Sequence, residues 1–312
     1  MPIAVALLGC EHPHVPEVLG VIASEPDVSL AAVWSSDRAA IPGAVANYAV
    51  PGPDTALDRA DVAIVCAHAD ERAALSVRAG RAGRPILIEA PLAPTAAEAA
   101  RAAREIARTR TPAYATLFLR ELPGLGRLGA VLGADMLGRV TGAAASYLSP
   151  LALGGVSAPA GGTSWVQRAH RAGAGAMTDL GIHLVDALTA LGIRPRLEAV
   201  RVERRRGERA DLGGVAVGRW GDVPLTLRTS WVTRPGGLEL IINGTLATAS
   251  LRDGTLELAA GQGAPERWVG APPDPAEAVR AFFQRLRTRR LDENGLRDAV
   301  AAHELIERAP VL

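Results

Sequence analysis

Lysine is missing altogether from these 312 residues, so the 34 side chains with a permanent positive charge are all arginine. No lysine Schiff base and no lysine general acid can form in this chain. Arginine replaces neither, because its guanidinium does not deprotonate usefully. Cysteine is nearly as scarce. Cys10 and Cys66 are the two present, with no CxxC pair and no metal spacing, so a disulfide framework is excluded by count. Both lie in strand-like runs, where a thiol serves as a small buried hydrophobe. An excess of one charge is also lacking. A net charge of +1 supplies no global field to draw in nucleic acid or an acidic membrane. No apolar run approaches the ~18–20 residues of a membrane helix. The first ten residues lack the basic stretch and cleavage site of a signal peptide. These absences predict a cytoplasmic protein whose partner is a small-molecule substrate rather than nucleic acid or membrane.

What is present is ordinary globular material, 48% apolar and 21% charged, long enough for two domains. Apolar runs at 3–9, 28–34, 60–67, 85–89 and 113–119 alternate with helical spacing at 15–24, 72–82 and 95–109. The last helix opens on Thr95 with Glu98 three residues on, a capping box. Such alternation predicts parallel βαβ units with buried strands, a Rossmann-like doubly wound sheet. Beyond residue 120 the pattern changes. Helical spacing at 122–137 and 177–191 is followed by strand candidates from 197 to 259. Asn243-Gly244 and Asp253-Gly254 stand as hairpin dipeptides. Helices are expected at 275–287 and 293–308. The predicted class is therefore α/β, with a Rossmann-like domain over 1–120. An α+β domain with a mostly antiparallel open sheet follows over 121–312. An open sheet face often finds a partner, so a homo-oligomer, dimer or tetramer, is expected through it.

The motifs sit at the ends of these elements. In dinucleotide folds the turn after the first strand reads G-x-G-x-x-G, letting backbone approach a pyrophosphate at a helix N-terminus. Here it reads Gly9-Cys10-Glu11-His12-Pro13-His14. Glu11 and His14 stand where the second and third glycines belong, and a carboxylate beside a pyrophosphate is unfavourable. His12 and His14 suit phosphate donation, a structural role or metal ligation. A metal is not part of the expected site. The second strand ends Trp34-Ser35-Ser36-Asp37-Arg38, with Ser35 where an acidic residue would bind the ribose diol of NAD. Serines near Arg38 suit the extra phosphate of NADP, which is favoured over NAD. Asp179 and His183, four apart on a predicted helix and hence on one face, can share a proton or orient one another. The glycines at 173 and 175 would bring that helix start close to a ligand. Tyr147 reads as strand packing, Trp231 and Trp268 as core or interface, His303 as surface, and the basic run 201–209 as a solubilising edge.

With Glu89-Ala90-Pro91-Leu92-Ala93, Arg120 and Pro123, Leu137–Val140, and Trp165 followed by Gly173–Asp186 on the page, the chain resembles the Gfo/Idh/MocA family. That family is named for glucose–fructose oxidoreductase and inositol dehydrogenase. The resemblance implies a nicotinamide cofactor on the first domain and hydride transfer at a carbinol, usually of a sugar or cyclitol. It implies catalysis by the lysine of E-K-P and by the aspartate and histidine of D-x-x-x-H. Asp179 and His183 carry over, whereas the lysine position is Ala90. The phosphate-loop glycines fail at Glu11 and His14. The turn after the third strand reads Cys66-Ala67-His68-Ala69-Asp70-Glu71-Arg72, without the family's proline and terminal histidine. The expected cofactor contacts are Gly9, Glu11, His12, His14, Ser35, Ser36, Arg38, Ala67, His68, Glu89 and Pro91. Arg120, Trp165, Arg168 and His170 are expected to line the substrate.

Three readings stay open. The first is an NAD(P)-dependent oxidoreductase acting on a sugar-like, cyclitol or imine substrate, with His183 as acid–base and Asp179 orienting it. An imine needs less polarisation than a ketone. The second is a non-redox lyase, isomerase or hydrolase, with or without a metal. The third is a non-catalytic binding or regulatory homologue.

Overall fold

The computed structural model describes residues 2–153, 175–206, 210–290 and 295–312. They cluster into two compact units. The first takes in residues up to Thr116 and, from the far end of the chain, Pro275–His303. The second takes in the described parts of 117–153, Gly175–Asp274 and Glu304–Leu312. This differs from a single cut at residue 120, because the chain returns to the first unit after completing the second.

The first unit is built on β1 (Ile3–Leu8), β2 (Val28–Trp34), β3 (Val62–Val65), β4 (Ile86–Ile88) and β5 (Ala113–Ala115), all parallel, in the order β2-β1-β3-β4-β5. Their runs are apolar throughout because both faces are covered. Ala6, Leu8, Ala63, Val65, Ile86 and Ile88 face the core shared with α2 (Pro53–Asp58), α3 (Ala69–Arg81) and α4 (Ala96–Arg108). The alternate residues Val5, Leu7, Val62, Ile64 and Leu87 face α1 (Val15–Ser24) and a helix from the chain's end, Pro275–Arg287. Phe282 and Phe283 of that late helix are fully buried there, which explains the return of the chain. One ten-residue helix leaves that sheet face open until the two phenylalanines cover it. The α4 start is as expected, with the Thr95 hydroxyl accepting from Glu98 N at 3.2 Å. His303 is buried, not on the surface, and burial lowers its pKa from 6.5 to about 4.

In the second unit, α5 (Pro123–Gly133) leads into β6 (Val140–Leu148), and α6 (Ala176–Ala190) precedes β7 (Arg196–Arg204), β8 (Asp211–Trp220), β9 (Val223–Ser230), β10 (Gly237–Gly244), β11 (Ala247–Arg252), β12 (Thr255–Ala260) and β13 (Glu266–Trp268). The eight strands run β13-β12-β11-β10-β6-β9-β8-β7, antiparallel except at β6–β9. The late helix of the first unit is α7 (Pro275–Arg287), and α8 (Arg297–Arg308) ends the series. Asp253-Gly254 forms the two-residue turn between β11 and β12. Asn243-Gly244 is not a turn. Both residues pair with β6, opposite Gly142 and Val140, and the chain reverses at Thr245 and Leu246. Of the basic run, 201–204 lie in β7, while 207–209 fall outside the described residues. No helix among the described residues is long and apolar enough to cross a membrane.

Candidate active site

Two polar clusters stand out, one in each unit. The first lies at the carboxyl ends of β1, β2, β3 and β4, beside the point where strand order reverses between β1 and β3. Open α/β sheets bind ligands at such a point. Gly9 leaves β1 with φ +83°, and a Cβ built on it would stand 2.3 Å from Ala67 Cα, so glycine alone fits the approach of the two loops. His12 N donates to Cys66 O at 3.1 Å and closes the same junction. Helix α1 begins with His14 as its N-cap residue and Pro16 in its first turn. No side chain caps it; Val15 N donates to His12 O at 3.2 Å and Pro16 has no N–H.

The Glu11 side chain is turned onto its neighbours. Its carboxylate is buried, accepting from Cys10 N at 2.9 Å and from the Ser35 hydroxyl. Ser35 is therefore a buried partner of Glu11 rather than an open strand tip. Ser36 donates to Glu71 at 2.8 Å, and Arg38 is exposed at the start of a short 3-10 turn. A cleft of about 1140 Å³ runs along α3 and α4, bordered by Trp34, Ser36 and Glu71. The Glu11 carboxylate and burial push Cys10 up to about 12, burial contributing most, so it stays a thiol.

The β4 end carries the densest network. Glu89 Oε2 lies 3.2 Å from His14 Nδ1 and 3.7 Å from His12 Nδ1, and accepts from the Thr116 hydroxyl at 2.5 Å. The two imidazoles meet edge to face at 4.4 Å. Burial would raise the Glu89 carboxyl, but the imidazoles of His12 and His14, with the bonds from His14 and Thr116, hold it well below the usual carboxylate range. Ala90 is buried, its N–H donating to Thr116 Oγ1 at 3.3 Å, and a cis bond links it to Pro91. His68 is the buried N-cap residue of α3 beside Ala67. Arg72, where the family pattern has a histidine, is fully buried. It donates to Ala67 O at 2.7 Å and Pro91 O at 2.8 Å, stitching the β3 and β4 loops together.

The second cluster lies on α6. Its start is held by Asp211, whose Oδ1 accepts from Met177 N at 2.8 Å. A Cβ at Gly175 would stand 2.2 Å from Asp211 Oδ2, so this glycine admits Asp211 rather than a ligand. One turn on, Asp179 Oδ2 accepts from Trp231 Nε1 at 3.2 Å. His183 is buried, its ring 4.7 Å from Phe118 and 6.3 Å from Tyr147. Burial, then the carboxylates of Asp179 and Asp253, push the Tyr147 phenol above its usual range. Tyr147 thus belongs to the polar cluster as well as to the packing. Arg120 is paired with the buried Asp186 through two of its nitrogens, Nε at 2.9 Å from Oδ2, so its guanidinium ties the 118–121 turn to α6. Trp165, Arg168, His170 and Gly173 lie outside the described residues.

Sequence reasoning missed Thr116, Arg72, Trp231 as a partner of Asp179, and the aromatic wall of Phe118 and Tyr147. They come from separate stretches of chain, and although Arg72 ends the quoted turn after the third strand, nothing local shows that it reaches the Pro91 carbonyl.

Residues 127–250 match the family model for the GFO/IDH/MocA C-terminal domain. No curated protein matches the chain in sequence. Among solved structures, KijD10, a 3-ketoreductase from Actinomadura kijaniata in complex with NADP and TDP-benzene, superposes with a TM-score of 0.82 at 19% identity, covering 100% of this chain and 99% of that one. UDP-N-acetylglucosamine 3-dehydrogenase GnnA from Acidithiobacillus ferrooxidans gives 0.76 at 18% identity over 99% and 98%. An oxidoreductase from Agrobacterium radiobacter in complex with NAD+, L-tartaric acid and magnesium gives 0.78 at 17% over 99% and 95%. At these identities the likeness establishes the fold.

Proposed function

We propose that this chain, whose residues 127–250 match the family model for the GFO/IDH/MocA C-terminal domain, is an NAD(P)-dependent oxidoreductase acting at a carbonyl or carbinol carbon of a sugar-like substrate. A nucleotide-linked sugar is the first choice, and a cyclitol or an imine follows. The observation that carries the reading is His183, buried against Phe118 and Tyr147 one turn after Asp179, whose carboxylate Trp231 holds. An imidazole in such a wall is a general acid–base group kept from bulk water.

The residues present fit a dinucleotide. The N-terminus of α1 is uncapped by side chains, the Gly9 turn is tight, and the Glu11 carboxylate is turned onto Ser35. The Gly9, Cys10, His12 and His14 amides donate within the protein and Pro13 has none, so Glu11 N would meet the pyrophosphate, with Ala67 and His68 across the turn. Ser36 and the exposed Arg38 would meet the adenosine ribose, favouring NADP. Glu89 and Pro91 would border the nicotinamide. When bound, the nicotinamide supplies or accepts the hydride. His183 gives its proton to the substrate oxygen or nitrogen in reduction and takes it back in oxidation. Asp179 stabilises the charged imidazole and fixes its ring. Ala90 offers no proton, so His183 carries the acid–base work alone. KijD10 is described as a 3-ketoreductase and GnnA as a UDP-N-acetylglucosamine 3-dehydrogenase, which makes 3-keto nucleotide sugars the first substrates to assay.

Oxidation of NADPH by such a sugar, compared between the native chain and His183→Ala, tests the reading. Turnover that falls by ~10²–10⁴-fold in the variant supports it. Turnover unaltered by the variant contradicts it. Chain pairing across the open sheet is proposed from the exposed Val215 and Val217 on β8. A monomer in light scattering would refute it.

A further inference from the structure

We propose that His12, His14 and Glu89 form a binding site for one divalent transition-metal ion. The case begins with convergence. One ligand atom from each of the three residues lies within 4.8 Å of the other two. The Nδ1 atoms of both histidines face the same carboxylate oxygen, at 3.2 Å for His14 and 3.7 Å for His12. Donors placed about 2.0–2.2 Å from a tetrahedral ion stand roughly 3.3–3.6 Å apart, so these distances suit ligands around a common ion with little rearrangement.

His12 offers a lone pair as it stands, and His14 would give up the Nδ1 proton it donates to Glu89 when an ion binds. His12 Nδ1 accepts a long bond, 3.3 Å, from His14 N, so it carries a lone pair and its hydrogen belongs on Nε2. An ion would displace that weak bond and leave Nε2–H as a second-shell donor. Glu89 is oriented by a second shell of its own. The Thr116 hydroxyl donates to Oε2 at 2.5 Å, and Ala90 N fixes Thr116 in turn. Glu89 is 2% exposed, and a carboxylate so buried calls for a cation close by. The third ligand gives the route in, because the His14 side chain is 23% exposed while His12 is 4%. Local sequence accounts for the geometry. The His-x-His spacing across Pro13 places both rings at the start of α1, and β4 brings Glu89 to the same edge of the sheet.

Two nitrogens and one oxygen form a borderline donor set, which suits Zn²⁺, Fe²⁺ or Co²⁺ rather than Ca²⁺ or Mg²⁺. Three protein ligands leave a position open to an exogenous oxygen. The proposal does not rest on hydride transfer and is tested without nucleotide or substrate.

The test uses the full chain, stripped with a chelator and titrated with Co²⁺ followed by Zn²⁺. The visible d–d bands of Co²⁺ and the heat of Zn²⁺ binding are the readouts. The expected result is saturation at one ion per chain, with the Co²⁺ bands abolished by Zn²⁺. Affinity should fall at least ~10-fold in His14→Ala and ~10–100-fold in Thr116→Ala, which touches only the second shell. His14 donates to the buried Glu89, so its variant is expected to melt lower, and binding is compared at a temperature where both chains are folded. Absence of bands and heat in the native chain would overturn the proposal and leave an imidazole–carboxylate hydrogen-bond network only. Equal binding by the native chain and a His12→Ala/His14→Ala double variant would overturn it too, as ions held elsewhere.

Discussion

The turn after β1 and the helix α6 treat the same problem, a polar group in a low-dielectric place, in opposite ways. Around the turn, each residue that departs from the dinucleotide pattern is answered by another side chain. Glu11 accepts from Ser35, His14 and His12 gather on Glu89, and Arg72 reaches the Ala67 and Pro91 carbonyls. On α6 the pattern is kept, and the surroundings are aromatic. Trp231 holds Asp179, and Phe118 and Tyr147 wall in His183. The turn has been rewired as a set, so its departures are not evidence of decay. The helix keeps Asp179 and His183 at their four-residue spacing, with Trp231, Phe118 and Tyr147 around them.

The comparison is sharpened first where it predicts the largest effect. His183→Ala should cost ~10²–10⁴ in turnover, read by kcat at a temperature where melting curves show both chains folded, because the substitution also leaves a cavity beside Phe118 and Tyr147. Arg120→Leu should behave in reverse. It strands the buried Asp186, and about 3 kcal/mol of stability should go, seen as a lower denaturant midpoint.

His303 gives the first unit a pH dependence. Its folded pKa of about 4 lies below the ordinary 6.5, so its neutral form stabilises the fold fully above pH 6.5. As pH falls from 6.5 to 4, about 3 kcal/mol should be lost progressively. His303→Leu should flatten that slope in pH-dependent melts. Smallest is Ser35→Ala, which leaves the buried Glu11 without its hydroxyl donor and should cost about 1–3 kcal/mol. If Ser35→Ala proved neutral, the picture of a turn rewired as a set would weaken.

Much of this was legible in the sequence, for reasons that local physics supplies. Strands buried on both faces write themselves as apolar runs, as 62–65 does, and Thr95 with Glu98 marks a helix start. Asp179 and His183 were legible because i and i+4 share a helix face. Their surroundings were not, since Trp231 lies 52 residues from Asp179 and only the folded sheet joins them. The return of α7 to the first unit was hidden for the same reason. Its Phe282–Phe283 stripe shows that the helix is amphipathic, not which face it covers. Asn243-Gly244 misled because a turn-forming dipeptide can sit within a paired strand.

The central claim is that the rewired turn still takes a dinucleotide, and thermal stabilisation by NADPH and NADH tests it most directly. Micromolar binding, with stabilisation of about 2.7 kcal/mol at a hundredfold excess over Kd and NADPH preferred, is the expected result. No shift with either nucleotide, reduced or oxidised, would contradict the claim and leave Asp179 and His183 to chemistry without hydride transfer.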